Sequence, residues 1–152
     1  MDAIRRSVLK AAGVAGALAG GLLGSWSALA AAWNKDAFAA KTPADAQKAV
    51  GGSGAAESRD IVIEAPQIAE NGAVVPIEVM SNLPGTTSIA VLVDKNPFPL
   101  VGQFEFMAGA VPFVKLNVKM GETSDVRVLV SAGGKNYVAV KEVKVTIGGC
   151  GG

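Results

Sequence analysis

Residues 126–140 read VRVLVSAGGKNYVAV, and this stretch decides the fold of the chain. In its first half valine alternates with other residues, and this period of two places every second side chain on the same face of a β-strand. Gly133-Gly134 follows, and a glycine pair suits a two-residue hairpin turn because such turns need positive φ angles. Residues 135–140 are predicted as the returning strand. The stretch therefore predicts a β-hairpin.

Short runs of the same kind lie on both sides of this hairpin. They cover residues 61–63, 75–79, 89–93, 101–107, 114–118 and 143–147. Turn residues separate them, as in Asn71-Gly72, Pro84-Gly85 and Asn96-Pro97. Roughly seven or eight short strands with no long helix between them predict an all-β fold, an immunoglobulin-like antiparallel β-sandwich. A small barrel is the alternative. We assign this domain to residues 59–147.

The segment before the strands, residues 31–58, is predicted to be first helical and then flexible. Thr42 is a good N-cap residue and Pro43 fits the first helical position, so a helix should run from there to Val50. Residues 33–40 could form an earlier helical piece. The glycine-rich residues 51–58 are predicted to be a flexible connection. We expect three apolar side chains of this segment to pack on the domain: Trp33, Phe38 and Val50.

Residues 1–30 have the features of an export signal. Arg5 and Arg6 precede a weakly apolar run rich in alanine, glycine and leucine, which is typical of a twin-arginine signal peptide. Cleavage is expected after Ala30, with Ala32 as the competing site. The alternative is a membrane-anchoring helix, since the run could span a bilayer if it extends to Ala32, but its glycines and alanines favour the signal. The mature protein is therefore predicted to be periplasmic, with no membrane contact after cleavage.

The composition excludes several classes of function. Residues 1–30 carry three of the 14 basic and one of the 13 acidic residues, so 11 basic and 12 acidic residues remain. Such a chain has no net positive charge with which to bind nucleic acid. The absence of histidine excludes Ser-His and Cys-His catalysis and histidine metal sites. A single cysteine allows neither an internal disulfide nor a cysteine zinc site, and we expect no metal or cofactor.

The C-terminus, residues 148–152, is the most informative part of the chain. It reads Gly148-Gly149-Cys150-Gly151-Gly152, with the cysteine between two glycine pairs. Glycine has no side chain and wide φ/ψ freedom, so this segment is predicted to be a flexible arm. Three extended residues span about 10 Å, which carries the thiol beyond the edge of the domain. The glycines would also let it enter a narrow channel, and the pattern favours a carrier that presents Cys150 to partner active sites.

Other interpretations of Cys150 remain open at this point. An intermolecular disulfide could tether a non-catalytic binding or structural module to a partner. A terminal cysteine without function is a further alternative, although an exposed thiol is a liability in an oxidising compartment. A terminal glycine pair is also found in ubiquitin-like thiocarboxylate carriers, but these are activated in the cytoplasm, and the export signal argues against them. Nothing near Cys150 in the sequence activates its thiol, so the chain is not expected to be an enzyme.

Three segments carry a family resemblance: residues 68–72, 96–99 and 144–152 read IAENG, NPFP and KVTIGGCGG. Together with Val75-Pro76 and the twin-arginine signal, they resemble the SoxY family, the sulfur-compound carriers of the bacterial Sox thiosulfate-oxidation system. The resemblance covers nearly all of the mature chain, and the terminal segment is its most specific element. It implies a β-sandwich whose carrier cysteine is Cys150.

The resemblance also implies partners and chemistry. A haem-containing conjugating enzyme would join thiosulfate oxidatively to the Cys150 sulfur, and a hydrolase would then release sulfate and leave a persulfide. A sulfur dehydrogenase would oxidise the outer sulfur, and a second hydrolysis would regenerate the thiol. The carrier would work as a heterodimer with the SoxZ subunit, which lacks a signal of its own. Co-export of the folded pair would explain the twin-arginine route.

Overall fold

The computed structural model of the protein describes residues 34–146. The predicted export signal with Arg5 and Arg6, the predicted strand end at Ile147 and the predicted arm at residues 148–152 lie outside the described residues. Within residues 34–146, no helix is long and apolar enough to cross a membrane.

In the described part of the chain, two short helices precede nine β-strands. The helices are α1 (Lys35–Ala39) and α2 (Pro43–Ala49). The strands are β1 (Ala56–Glu57), β2 (Ile61–Glu64), β3 (Ile68–Ala69), β4 (Val75–Ser81), β5 (Thr86–Val93), β6 (Leu100–Glu105), β7 (Phe113–Val118), β8 (Ser124–Ala132) and β9 (Lys135–Val145). The predicted hairpin is confirmed, because β8 and β9 pair antiparallel and Gly133 and Gly134 have φ angles of 56° and 75°.

The strands form two sheets that pack as a sandwich. The larger sheet has the order β1-β9-β8-β5-β6, with β3 also pairing with β9, and the smaller has the order β2-β4-β7. Among the described strands, β1 and β3 pair parallel with β9, and the other ladders are antiparallel. The predicted immunoglobulin-like β-sandwich is confirmed, with the addition that the β9 edge makes its larger sheet mixed.

The core between the sheets is built from the alternating apolar residues seen in the sequence. Val75, Ile77 and Val79 of β4 are fully buried, and they belong to one cluster with inward-facing valines of β5 and β8. Intervening side chains of β4 point away from this cluster, as a strand period of two requires. Each such valine contributes about 1.5–3 kcal/mol through burial of its side chain.

The outer face of the larger sheet is covered by the two helices. Ala37 of α1 and Ala46 of α2 are fully buried there, together with leucines of three strands: Leu92, Leu100 and Leu129. This second layer explains why residues 89–93 form a continuous apolar run. One set of their side chains faces the core between the sheets, and the other set lies beneath the helices.

Helix α2 begins as the sequence predicts. Thr42 Oγ1 accepts a hydrogen bond from Asp45 N at 3.1 Å, which satisfies one of the free backbone donors of the first turn. Phe38 and Val50 pack against the cluster beneath the helices, which confirms the prediction for them, while Trp33 lies outside the described residues.

The structure corrects two predictions. Residues 51–58 are not a flexible connection, because Asn136 Nδ2 donates to Gly51 O at 2.7 Å and the two residues of β1 pair with β9. The separate strands predicted at residues 135–140 and 143–147 are also wrong, since residues 135–145 form the single strand β9. Lys141 and Glu142 interrupt the apolar pattern but not the ladder, because backbone hydrogen bonds to β8 do not depend on the side chain.

Candidate functional site

The strand that leads toward Cys150 sets the geometry of the candidate site. Cys150 and its four glycines lie outside the described residues, so the structure does not test their predicted roles. Strand β9 ends at Val145, and Thr146 is the last residue described. We call residues 144–146 the arm root. Cys150 is four residues beyond Thr146 in the sequence, so their Cα atoms are at most about 14 Å apart.

The arm root is hydrogen-bonded on both of its sides. Thr146 N donates to Ala69 O at 3.1 Å, in continuation of the parallel ladder with β3. Val145 N donates to Thr123 Oγ1 at 3.0 Å, on the side of β8. Alternate amides of a strand point to opposite edges, so the two bonds hold the root from opposite directions. The position from which residues 147–152 continue is therefore fixed by two neighbouring segments.

A close backbone contact at Gly72 supports the arm root. Gly72 O accepts a hydrogen bond from Met120 N at 2.7 Å. A Cβ atom added at Gly72 would overlap Met120 O and would lie 2.8 Å from Val145 Cγ1. Only glycine fits between Met120 and the arm root without displacing a neighbour.

Three loops lie at the same end of the sandwich as the arm root. They cover residues 70–74, 94–99 and 119–123. Hydrogen bonds join the 94–99 loop to the 119–123 loop, and the 119–123 loop to the 70–74 loop. Asn96 Nδ2 donates to Lys119 O at 2.9 Å, and the bond between Met120 and Gly72 continues the connection to the arm root. We call this region, the three loops with β3 and the arm root, the arm end.

An ion pair ties the 94–99 loop to β8. Arg127 Nη2 and Nε donate to the two carboxylate oxygens of Asp94 at 2.8 and 3.2 Å. This hydrogen bonding raises the pKa of the Arg127 guanidinium above its ordinary value, while partial burial acts in the opposite direction. The more exposed pair of Lys95 Nζ and Glu122 Oε2, at 3.5 Å, adds little stability because water screens it. Of the two ion pairs, the one between Asp94 and Arg127 therefore contributes more to holding the loop.

The arm end brings together the sequence segments on which the family resemblance rests. Residues 68–72, 96–99 and 144–146 are far apart in sequence and meet here through β3-β9 pairing and the loop hydrogen bonds. The sequence shows these three segments but does not predict that they lie close together, because neither β3 nor the order of the strands is predicted from it. The signal that could have found this proximity is the succession of short strands joined by turns. In an antiparallel sheet such a succession places alternate loops at the same end, as the pairing of β5, β8 and β9 shows.

Other concave surfaces lie outside the arm end. A groove of about 400 Å³ runs beside β1 and β9, and it is lined by Glu57, Ser58, Arg59, Val138, Ala139 and Val140. A hollow of about 150 Å³ on the smaller sheet is lined by Val62, Glu64, Glu78, Met80 and Phe113. Among residues 34–146, no three histidine, cysteine or acidic side chains are grouped in a way that could hold a metal ion.

Comparisons with known proteins identify what the chain resembles. The family described as "SoxY: Sulfur oxidation protein SoxY" matches residues 46–150, a range that ends at Cys150. The structure of the sulfur carrier protein SoxY from Chlorobium limicola f thiosulfatophilum is 46% identical, with a TM-score of 0.63, over 68% of this chain and 96% of that chain. Superoxide reductase (neelaredoxin) from Ignicoccus hospitalis has a TM-score of 0.52 at 21% identity, over 69% of this chain and 94% of that chain, and shows the fold alone. No curated protein matches the chain.

Proposed function

The chain belongs to the SoxY family of sulfur oxidation proteins, and on that premise we propose that it carries thiosulfate-derived sulfur covalently on Cys150. The observation that supports this most directly is that the range matched by the family ends on the single cysteine of the chain. A sulfur carrier with one thiol has one place to hold its cargo as a sulfur–sulfur bond. The glycines Gly148, Gly149, Gly151 and Gly152 would give that thiol access to narrow channels in its partners.

The proposed chemistry divides the work between this chain and its partners. Joining thiosulfate to Cys150 forms a sulfur–sulfur bond, releases the thiol proton and passes an electron pair to a haem-containing conjugating enzyme. Hydrolysis then transfers the terminal sulfonate to water, which releases sulfate and leaves a persulfide. A sulfur dehydrogenase removes electrons from the outer sulfur while water supplies its oxygens, and a second hydrolysis restores the thiol. This chain supplies the attachment point and is not the catalyst.

The proposed setting is the periplasm, with a second subunit bound. Arg5 and Arg6 support twin-arginine export, a route that carries folded proteins. A heterodimer with SoxZ formed before export would use that route as one folded unit. The fixed arm root supports this role, since the two bonds at Val145 and Thr146 give the thiol a defined starting point on the folded domain.

Intact mass spectrometry of the protein from thiosulfate-grown cells tests the proposal. We expect adducts on Cys150 with the added mass of sulfur or of thiosulfate, because the intermediates stay covalently bound between enzymes. A reducing agent should remove these adducts and return the mass of the free thiol. Disulfide dimers alone under the same conditions would support the alternative, a binding or structural module tethered through Cys150.

The variant Cys150→Ser provides the matched test of function. It should abolish thiosulfate oxidation, since no other thiol can take the cargo, while its unfolding midpoint and SoxZ binding stay at the wild-type values. Normal thiosulfate oxidation by this variant would show that Cys150 is not the attachment point.

A further inference from the structure

The outer face of the smaller sheet carries a row of exposed apolar side chains. Val62, Met80 and Phe113 are 39%, 41% and 41% exposed, and they come from the three strands β2, β4 and β7. Met80 is the direct register partner of both Val62 and Phe113. Directly paired residues of neighbouring strands lie on the same face, with their side chains within reach of each other. The three therefore form one continuous row, which lines the hollow of about 150 Å³ on this sheet.

The apolar row continues into the loop between β6 and β7. Residues 106–113 read FMAGAVPF, eight residues without a polar side chain, and six of the eight are exposed. Met107 and Val111 are 87% and 72% exposed. Phe113 N donates to Val111 O at 2.8 Å, so the loop runs directly into the row. We call the row and this loop together the apolar patch. An exposed apolar surface of this kind marks a site of interaction with a partner.

The loop of the apolar patch is anchored at both of its ends. Phe106 N donates to Thr87 O of β5 at 2.9 Å, which ties the start of the loop to the larger sheet. Ser81 N of β4 donates to Pro112 O at 3.0 Å, which ties its end to the smaller sheet. A surface that is preorganised in this way loses less conformational entropy on binding than a loose segment does. The apolar patch is therefore suited to a stable interface.

The apolar patch lies at the end of the smaller sheet that is away from the arm end. Strand β4 begins after the 70–74 loop, and Met80 is near its other end. Strand β7 begins at Phe113 and ends at Val118, beside the 119–123 loop, and an extended strand of this length spans about 17 Å. A partner on the apolar patch would leave the arm root and its loops uncovered. The patch therefore suits a subunit that stays bound while enzymes reach the thiol.

A row of charged side chains lies beside the apolar row on the same face. Glu64, Glu78 and Lys115 are direct register partners across the three strands, and Lys115 Nζ lies 2.6 Å from Glu78 Oε1. Glu64 also lines the hollow, and it forms no ion pair with another side chain of residues 34–146. A protein that covered the hollow would remove this carboxylate from water, which costs free energy unless a basic group meets it. The face therefore fits an apolar partner surface with a lysine or arginine opposite Glu64.

We propose that the apolar patch is the surface on which the second subunit of the heterodimer binds. That subunit presents apolar side chains to the row and the loop and a basic side chain to Glu64. The inference rests on the proposed function, because the heterodimer is part of it, and it adds which face of the carrier is covered. Phenylalanine and methionine, which dominate the patch, are enriched at the centres of protein interfaces. An anionic membrane surface fits less well, because it would place negative charge against Glu64.

Calorimetric titration of the purified carrier with purified SoxZ tests this surface. We expect Phe113→Ala and Met80→Ala each to raise the Kd about tenfold, because truncation of a central interface side chain typically costs that much. Val111→Ser should weaken binding in the same direction, and it lies in the loop, where it leaves both sheets intact. The matched control is Phe98→Ala, which removes a ring of similar exposure, 48%, in the 94–99 loop at the arm end. Its Kd should equal the wild-type value.

The variant Glu64→Gln tests the charge of the partner. Wild-type binding should weaken as the salt concentration rises, because ions screen the attraction between Glu64 and the basic group. The variant should bind several-fold more weakly than the wild type at low salt and should lose part of this salt dependence. An unchanged Kd with unchanged salt dependence would overturn the basic group assigned to the partner.

The remaining outcomes separate this surface from the proposed carrier role. Unchanged Kd values for Phe113→Ala, Met80→Ala and Val111→Ser, or an equal rise for Phe98→Ala, would overturn the surface and leave sulfur adducts on Cys150 unaffected. A wild-type carrier that does not bind SoxZ would overturn the heterodimer as well, while the adducts still test the carrier role separately.

Two further measurements identify the other possible occupants of the apolar patch. Sedimentation of the carrier alone would assign the patch to a second copy of the chain, if Phe113→Ala abolishes self-association without changing the Kd for SoxZ. Flotation with vesicles of phosphatidylglycerol and phosphatidylethanolamine would assign it to a membrane, if the same variant abolishes vesicle binding alone. Either result would overturn the partner proposed here.

Discussion

At Gly72 the backbone passes between Met120 and Val145 with no room for a methyl group. The asparagine before it closes the turn, because Asn71 Oδ1 accepts a hydrogen bond from Ala73 N at 2.9 Å. The sequence marks Asn71-Gly72 as a turn, but the close approach to the arm root depends on tertiary packing and is seen only in the structure. A single residue thus links a turn signal in the sequence to the position of the candidate site.

Gly72→Ala should lower the free energy of unfolding by about 2 kcal/mol, because the new methyl group forces apart two segments that are hydrogen-bonded here. Chemical denaturation with urea measures this change. The control is Gly121→Ala in the adjacent loop, where a Cβ atom would meet nothing within 4 Å, and it should stay within about 0.5 kcal/mol of the wild type. Equal stability of the two variants would contradict the packing described at Gly72.

Strand β9 shows what could and could not be predicted at the level of an element. The alternation at Val143 and Val145 predicted its second half, and Gly133-Gly134 predicted its start. The continuity through Lys141 and Glu142 was missed because the sequence pattern records side chains and not backbone pairing. The two-residue strands β1 and β3 were missed as well, since so short a segment has no period, and its pairing with β9 is decided by the rest of the fold.

Two valines of β9 test the assignment of its faces. Val143 is fully buried in the core, and Val143→Ala should cost about 2 kcal/mol of unfolding free energy through lost burial and the cavity that remains. Val140 on the same strand is 47% exposed, so Val140→Ala should change stability by less than about 0.5 kcal/mol. Thermal unfolding followed by circular dichroism compares them under the same conditions. A larger loss for Val140→Ala would mean that the strand faces are assigned the wrong way round.

For the whole molecule, the sequence predicted the class of fold, and it proposes an attachment residue, but it did not predict the arrangement of the loops around the arm root. Cys150 stands out because it is the single cysteine and has glycines on both sides, and both facts are local. The arm end depends on three loops that come together only after β4 has paired with β7 and after β5, β8 and β9 have paired. Local patterns therefore suggest a chemistry, while the arrangement of the arm end is seen only in the folded structure.

The charged groups of the molecule predict a free energy of unfolding that changes little with pH around neutrality. The chain has no histidine, and hydrogen bonds to Asp94 and Glu78 raise the pKa of Arg127 and of Lys115. A raised pKa contributes stability that is present below the unfolded value and is lost as pH rises through the folded value. Both contributions therefore persist until the pH exceeds about 10.

Calorimetry measures this expectation directly. The thermal midpoint should change by less than about 2 °C between about pH 6 and pH 8, because neither raised pKa is crossed in this interval. A steep change of the midpoint within it would mean that another group titrates differently in the folded and unfolded protein.

The two-sided bonding of the arm root has a mechanical consequence. If, as proposed, a partner grips cargo on Cys150 and moves away in the direction in which β9 runs, the tension enters the domain along the axis of β9. The hydrogen bonds of Val145 and Thr146 lie across that axis and are strained together in shear, whereas a strand peeled sideways would lose its bonds one at a time. The hairpin with β8 then spreads the force over the length of the larger sheet. Under the proposed function, the arm root would therefore stay folded while a strongly held cargo is pulled from an enzyme.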